Sequence, residues 1–158
     1  MPPMTISGVL DRSYARLERQ LIQIAERVPG HSYSFRPSPD VRTFGEQLRH
    51  IGAVQWVIGA GIQGGNPPVD VGDGDSGPPS MLAKSDILAY VRDSFAFIHR
   101  AIGTMSLHNA LDMIPHPYDP NTNVERLALG IGYACHGWDH YGQLVVYERL
   151  NNVAPAPA

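Results

Sequence analysis

Clusters of proline and glycine cut this chain into four long proline-free segments, and each segment repeats its apolar residues at helical spacing. A proline in a helix interior removes a hydrogen bond and clashes with the preceding turn, so the prolines mark where helices cannot run. In the first segment Leu10, Tyr14, Leu17, Leu21, Ile24 and Val28 stand 4, 3, 4, 3 and 4 residues apart, a single apolar stripe on a helix predicted over 6–28. Asp11, Arg12, Arg16, Glu18, Arg19, Glu26 and Arg27 fall mostly off that stripe and form a solvated face. Pro29-Gly30 closes the helix, and Pro37 and Pro39 favour an extended path through the connector that follows.

The second helix is expected over 43–63. Thr43 at its N-cap and Glu46 three residues on form a capping box, in which each side chain satisfies the other residue's backbone N–H. Phe44, Leu48, Ile51 and Ile58 make one flank; His50, Val54 and Val57 make another. Gly45, Gly52 and Gly59 recur every seven residues, at a cost of about 1 kcal/mol each relative to alanine. They mark either exposed positions under little constraint or a smooth strip that another backbone approaches.

Residues 64–80 are dominated by glycine and proline and exceed the usual length of a connection. In a bundle such a segment suits a crossover along the helices or a cover over a site. Asp70, Asp73 and Asp75 within it lack the spacing and the closing glutamate of a calcium loop. The third helix is predicted over 84–105 on Ile87, Val91, Ser94, Ile98 and Ala101, with Ser80 and Ser85 as alternative caps and His99 as a cation favoured near its C-terminus. Pro115, Pro117 and Pro120 make an irregular connector of 106–121, which carries His108 and His116, and no segment reads as a convincing strand. Thr122 to Glu125 repeats the capping pattern, so the fourth helix is expected from Asn123 to about Leu150. It is apolar on two faces, one through Leu127, Ile131, Ala134, Trp138 and Val145, the other through Leu129, Tyr133, His136, His140, Leu144 and Tyr147. Such a helix is central to its domain or packs against a second subunit as well. The expected whole is an all-α four-helix bundle in one domain, 1–158, with a long crossover between helices 2 and 3 and a flexible tail from about residue 152.

Composition narrows the partners. With 43% hydrophobic and 17% charged residues in 158, the chain can bury a full core. A net charge of −3 and no basic run argue against nucleic acid. No stretch approaches the roughly 18 apolar residues of a membrane span, and the N-terminus lacks the pattern of a signal peptide. The single cysteine, Cys135, excludes an intramolecular disulfide and suits a reducing compartment, so a cytoplasmic protein is expected. Cys135 itself reads as a small core residue.

The chemistry concentrates in the fourth helix. His136 and His140 are four residues apart, hence on one face one turn apart, where two imidazoles can close on one metal ion. The same spacing also arises in helices that bind nothing. A third ligand must come from elsewhere, and His50 is the candidate, mid-helix among apolar residues. Its competing role is that of a core histidine satisfied by a neighbour's carbonyl or hydroxyl. Tyr133 and Gln143 lie one turn either side of the pair and can line a site; Asp139 is expected to face solvent or a second subunit.

Thr43 to Ile51, followed near the C-terminus by His136-x-x-x-His140-x-x-Gln143 and Tyr147-x-Arg149-Leu150-Asn151, resembles the DinB/YfiT-like family over nearly the whole chain. The resemblance implies a four-helix bundle that binds a divalent metal through His50, His136 and His140, zinc or nickel first, with iron or manganese as further options. It also implies homodimers, and relatives that include thiol S-transferases and thiol-dependent isomerases using bacillithiol or mycothiol. Three protein ligands leave a coordination position open, the catalytic arrangement. The expected activity is metal-dependent activation of a low-molecular-weight thiol or of water for attack on a small electrophilic substrate; the alternative is a non-catalytic metal- or ligand-binding bundle that acts through dimerisation. No catalytic side chain is assigned.

Overall fold

The computed structural model describes residues 4–153. Four helices carry the fold: α1 (Ile6–Arg27), α2 (Phe44–Gln63), α3 (Lys84–Gly103) and α4 (Arg126–Leu150). α1 buries the predicted stripe, with Leu17, Leu21 and Ile24 fully enclosed. The Thr43–Glu46 capping box is present in both directions: Thr43 Oγ1 accepts from the Glu46 N–H, and Glu46 Oε2 accepts from the Thr43 N–H. α1 packs against α3 and α4, and α2 packs against the same two, so the helices close a ring in the order α1–α4–α2–α3. The core lies at the centre of that ring, around Tyr14, Phe44 and Phe95.

The seven-residue glycine strip is a packing surface. A Cβ at Gly52 would stand 2.8 Å from the Tyr90 ring, one at Gly59 2.7 Å from the Phe97 ring, and one at Gly45 3.2 Å from Ile87. The strip therefore receives side chains of α3, and Trp56 tilts against Tyr90 and Phe97 beside it. Neither proposed serine caps α3, whose N-cap is Ala83 with no side-chain bond. The next residue, Lys84, instead reaches the end of α1, its Nζ donating to the carbonyls of Glu26 (2.6 Å) and Val28 (2.8 Å). A cation at those orphan carbonyls complements the helix dipole. His99 faces α1, with Nδ1 2.5 Å from Asp11 Oδ1 and Nε2 3.3 Å from Glu18 Oε2. Its role is a cross-helix tie, which differs from the helix-end role expected of it.

The connector after α3 is not irregular throughout. Met113–His116 (β1) and Asp119–Glu125 (β2) form a two-stranded antiparallel hairpin, with Ile114 opposite Val124 and an irregularity between Pro115 and His116. The prolines are tolerated because a two-stranded ribbon has two free edges. The expected cap at Thr122 is thus a strand residue, its hydroxyl bonded to Asp119 Oδ2 at 2.5 Å, and α4 begins at Arg126. There the Arg126 N–H donates to Asp112 O (3.0 Å) and the Leu127 N–H to Ala110 O (2.8 Å), bonds that take over the capping of the helix start.

The 64–83 connection runs back along α2 to its second turn, the long crossover expected from sequence, and its Asp75 carbonyl meets His50 there. Val69-Asp70-Val71 forms no strand. Asn152 and Val153 end the described chain; the rest of the expected flexible tail lies outside the described residues. No helix among the described residues is long and apolar enough to cross a membrane.

Candidate metal centre

His50 sits in the second turn of α2, and His136 and His140 sit one turn apart in the middle of α4, which packs against α2. The adjacency brings all three imidazoles together: one nitrogen from each lies within 4.8 Å of the others. Ring centroids are 4.3 Å apart for His136–His140, 4.8 Å for His50–His140 and 5.3 Å for His50–His136. His50 and His140 are buried, and His136 is half-buried. These are the three residues expected from sequence, and they form the one such group found among the described residues.

Two of the imidazoles are held from outside the cluster. His50 Nδ1 is 2.8 Å from the carbonyl oxygen of Asp75. A carbonyl only accepts, so Nδ1 carries the proton and Nε2 keeps a free lone pair. Asp75 lies in the 64–83 connection with φ 56, next to Gly74 with φ 55. Two successive left-handed residues turn the chain so that this carbonyl faces the ring. His140 Nδ1 is 2.8 Å from Gln47 Nε2, and His140 Nε2 is 3.0 Å from His136 Nε2. Gln47 Nε2 also donates to Gln143 Oε1, and Gln143 Nε2 donates to Asp139 Oδ2 at 2.9 Å. Because a carboxylate only accepts, Asp139 fixes the direction of this relay: Gln143 turns its oxygen to Gln47, and Gln47 turns its nitrogen to His140. His140 then carries its proton on Nε2, between itself and His136.

Burial depresses the proton affinity of all three rings, opposed at His50 by the Asp75 carbonyl and reinforced at His136 by His50. For His140, burial and the two neighbouring imidazoles push the pKa down to about 4. The cluster is neutral at physiological pH, the state in which imidazole binds metal. Rings of Tyr133 and Tyr118 continue the wall: Tyr133 lies 5.7 Å from His136, and Tyr118, at the hairpin turn, stacks on Tyr133 at 5.9 Å. Partial burial and a hydrogen bond to the Asp75 carboxylate raise the Tyr118 hydroxyl above the ordinary phenol range.

The donor set suits a divalent ion. Three nitrogens at 2.0–2.1 Å from a tetrahedral ion stand roughly 3.3 Å apart; His136 and His140 already have that spacing, and His50 needs only a small side-chain movement. His50 already presents a free Nε2 lone pair, and His136 turns its Nε2 lone pair into the cluster, where it accepts from His140. The third presents one once its proton moves to Nδ1 and Gln47 turns its carbonyl oxygen towards it.

Several residues fall differently from expectation. Tyr133 does line the cluster, while Gln143 reaches it only through Gln47. Asp139 is exposed, as expected, yet its carboxylate anchors the glutamine relay. Cys135 is exposed and not part of the core, because it lies on the face of α4 that opens onto a groove beside α1. His108 and His116 stay outside the cluster. Gln47, Asp75 and Tyr118 were missed. Gln47 had a signal, three residues before His50 and so on the same helix face. Asp75 and Tyr118 had none, since long-range folding of two connectors brings them in.

A four-helix bundle with three converging imidazoles, one from α2 and two from α4, defines a helical protein with a metal-competent core. The chain belongs to the DinB superfamily, whose family model matches residues 13–144. Two solved structures share the fold. A DinB-like protein from Bacillus cereus superposes with a TM-score of 0.79 at 16% identity, covering 98% of this chain and 97% of that one. A conserved protein from Enterococcus faecalis gives a TM-score of 0.76 at 14% identity, covering 94% and 98%. No curated protein matches the chain.

Proposed function

We propose that this protein is a metal-dependent enzyme in which His50, His136 and His140 hold a divalent ion, zinc or nickel before iron or manganese, and which activates a low-molecular-weight thiol or water for attack on a small electrophile. The observation that carries the proposal is the convergence of three neutral imidazoles, from two helices, within 4.8 Å. A bound divalent ion supplies Lewis acidity, which brings a thiol or water into the thiolate or hydroxide form near neutral pH. The chain's residues do the rest. The Asp75 carbonyl and the Gln47 amide set the orientation of two rings. The stacked rings of Tyr118 and Tyr133 cover one side of the cluster. A groove of about 1040 Å³, lined in part by Gln47 and Gln143, opens beside the cluster, with Gln47 between it and His140.

Elemental analysis of purified protein, with thiol-conjugation and ester-hydrolysis panels, tests the proposal. Wild type is expected to hold about one divalent ion per chain, and His136→Ala and His140→Ala to lose it together with turnover. Equal metal content in all three proteins would overturn the site.

A second reading rests on a separate observation. A groove of about 560 Å³ between α1 and α4 is lined by Val9, Leu127, Ile131 and Trp138, with Val9 and Ile131 about half exposed. It supports a homodimer joined through that face, and a bundle that binds metal or ligand without turnover and acts through association. Metal content with no turnover on any thiol or ester would favour this reading.

A further inference from the structure

The large groove beside the histidines has a chemistry of its own. It runs between the connector 36–42, the first two turns of α2, the Ser76–Pro79 stretch and the last turns of α4. Its lining includes Gln47, which contacts His140, and Gln143, which accepts from Gln47. Three arginines stand in its wall, Arg36, Arg42 and Arg49, against two carboxylates, Asp40 and Glu46.

These charges are not evenly matched. Arg36 holds both oxygens of Glu46, at 3.0 and 3.3 Å, and Glu46 also accepts from the Thr43 N–H, so that carboxylate is fully engaged. Asp40 is exposed. Arg42 makes no ion pair and no side-chain hydrogen bond among the described residues, while its backbone is pinned by the Tyr147 hydroxyl donating to its carbonyl at 2.7 Å. It is near enough to lower the proton affinity of all three histidines.

Arg49 is 7% exposed. One terminal nitrogen donates to the Pro78 carbonyl at 2.6 Å, and its Nε has no partner. It has no ion pair among the described residues; Glu46 feels its charge, but the oxygens of Glu46 are already taken. Gly77, with φ 72, clamps Arg49 in place: a Cβ there would meet the Arg49 Cβ at 2.7 Å. A buried guanidinium without a carboxylate is costly unless a counter-charge arrives from outside.

We propose that this groove binds the carboxylate end of the small-molecule substrate, with Arg42 and Arg49 as its receptors and the reacting end directed at the histidine cluster. The ligand class is an organic acid carrying a thiol or an electrophilic centre a few bonds from one or two carboxylates. Arginine suits this role because its planar fork pairs both oxygens of a carboxylate. Val146, Pro37 and Pro79 supply apolar wall for the body of such a molecule. The placement of the reacting end rests on the metal-centre proposal; the anion site itself does not.

The experiment separates the two. Isothermal titration of metal-free protein with succinate, and with its neutral diamide, reads the groove without the metal. Titration of zinc-loaded protein with mercaptosuccinate, and with neutral 3-mercapto-1,2-propanediol, reads the whole path. Each anion is expected to bind at least about tenfold more tightly than its neutral partner. Arg42→Gln should abolish that preference with zinc content unchanged, and Arg42→Lys should restore part of it. Preference for succinate in a protein that takes up no zinc would uphold the groove while removing the metal centre. Equal affinity for anion and neutral partner in wild type, or a preference that survives Arg42→Gln, would overturn the proposal.

Discussion

A single proton decides how the histidine cluster meets an ion. In the arrangement described, Gln47 offers a hydrogen to His140 Nδ1, and the His140 proton sits on Nε2, pointing at His136. An ion must take that proton's place. His140 then needs an acceptor at Nδ1, and only the oxygen of Gln47 can provide one from this position. Residues that orient a metal-binding histidine in this way typically change affinity by 10–100-fold when lost. Gln47→Leu is therefore expected to weaken zinc binding by about that factor in a chelator-competition titration. Gln47→Glu, which offers only oxygens, should bind at least as tightly as wild type. Equal affinities for all three proteins would show that Gln47 does not govern the tautomer. The three histidines that converge stood out in the sequence because two share a helical repeat and the third interrupts an apolar stripe. Gln47 was overlooked although it shares the face of His50, because an amide has no role until its partner on α4 is known.

At the scale of elements, the helices were legible wherever local signals and packing agree. The stripe on α1 and the box at Thr43 each point to one structure, and each forms. The 113–125 stretch was misread because two local signals compete there. Thr122 to Glu125 has the pattern of a helix start, yet Asn123 and Val124 pair across the hairpin with Pro115 and Ile114. Pairing with β1, remote from the local pattern, outweighs a cap worth about 1 kcal/mol. The glycine strip of α2 admitted two explanations from sequence, and the α3 side chains packed onto it select one. Gly52→Ala gains roughly 1 kcal/mol of helix propensity but forces aside Tyr90, whose hydroxyl is held by the Asp70 carbonyl. A net loss of about 1–2 kcal/mol is expected in urea denaturation. A variant as stable as wild type would mean that Tyr90 moves freely.

For the molecule as a whole, the neutral cluster links stability to pH. Above the ordinary histidine pKa near 6.5, the rings are uncharged in both the folded and unfolded chain and contribute no pH dependence. Below it the unfolded chain takes up protons that the folded one refuses, since burial and neighbouring rings hold His140 down to about 4 and lower the other two. Stability of the metal-free protein should therefore fall as pH drops from about 6.5 towards 4. In chemical denaturation, His140→Gln should show a shallower fall between pH 6.5 and 5. An identical slope would place the proton linkage elsewhere.

The hold on His50 comes from the main chain of Asp75, and every amino acid carries a carbonyl. Swapping Asp75 for Asn or Gly, which tolerate its left-handed backbone, can alter the charge near the tyrosines without deleting that contact. Adding or removing one residue between Gly64 and Ala83 would instead slide the acceptor out of register. The tolerance of this centre is thus set by segment length and the left-handed turn at 74–75 more than by side-chain chemistry. Two relatives with the same three imidazoles but unequal spans here need not hold them alike.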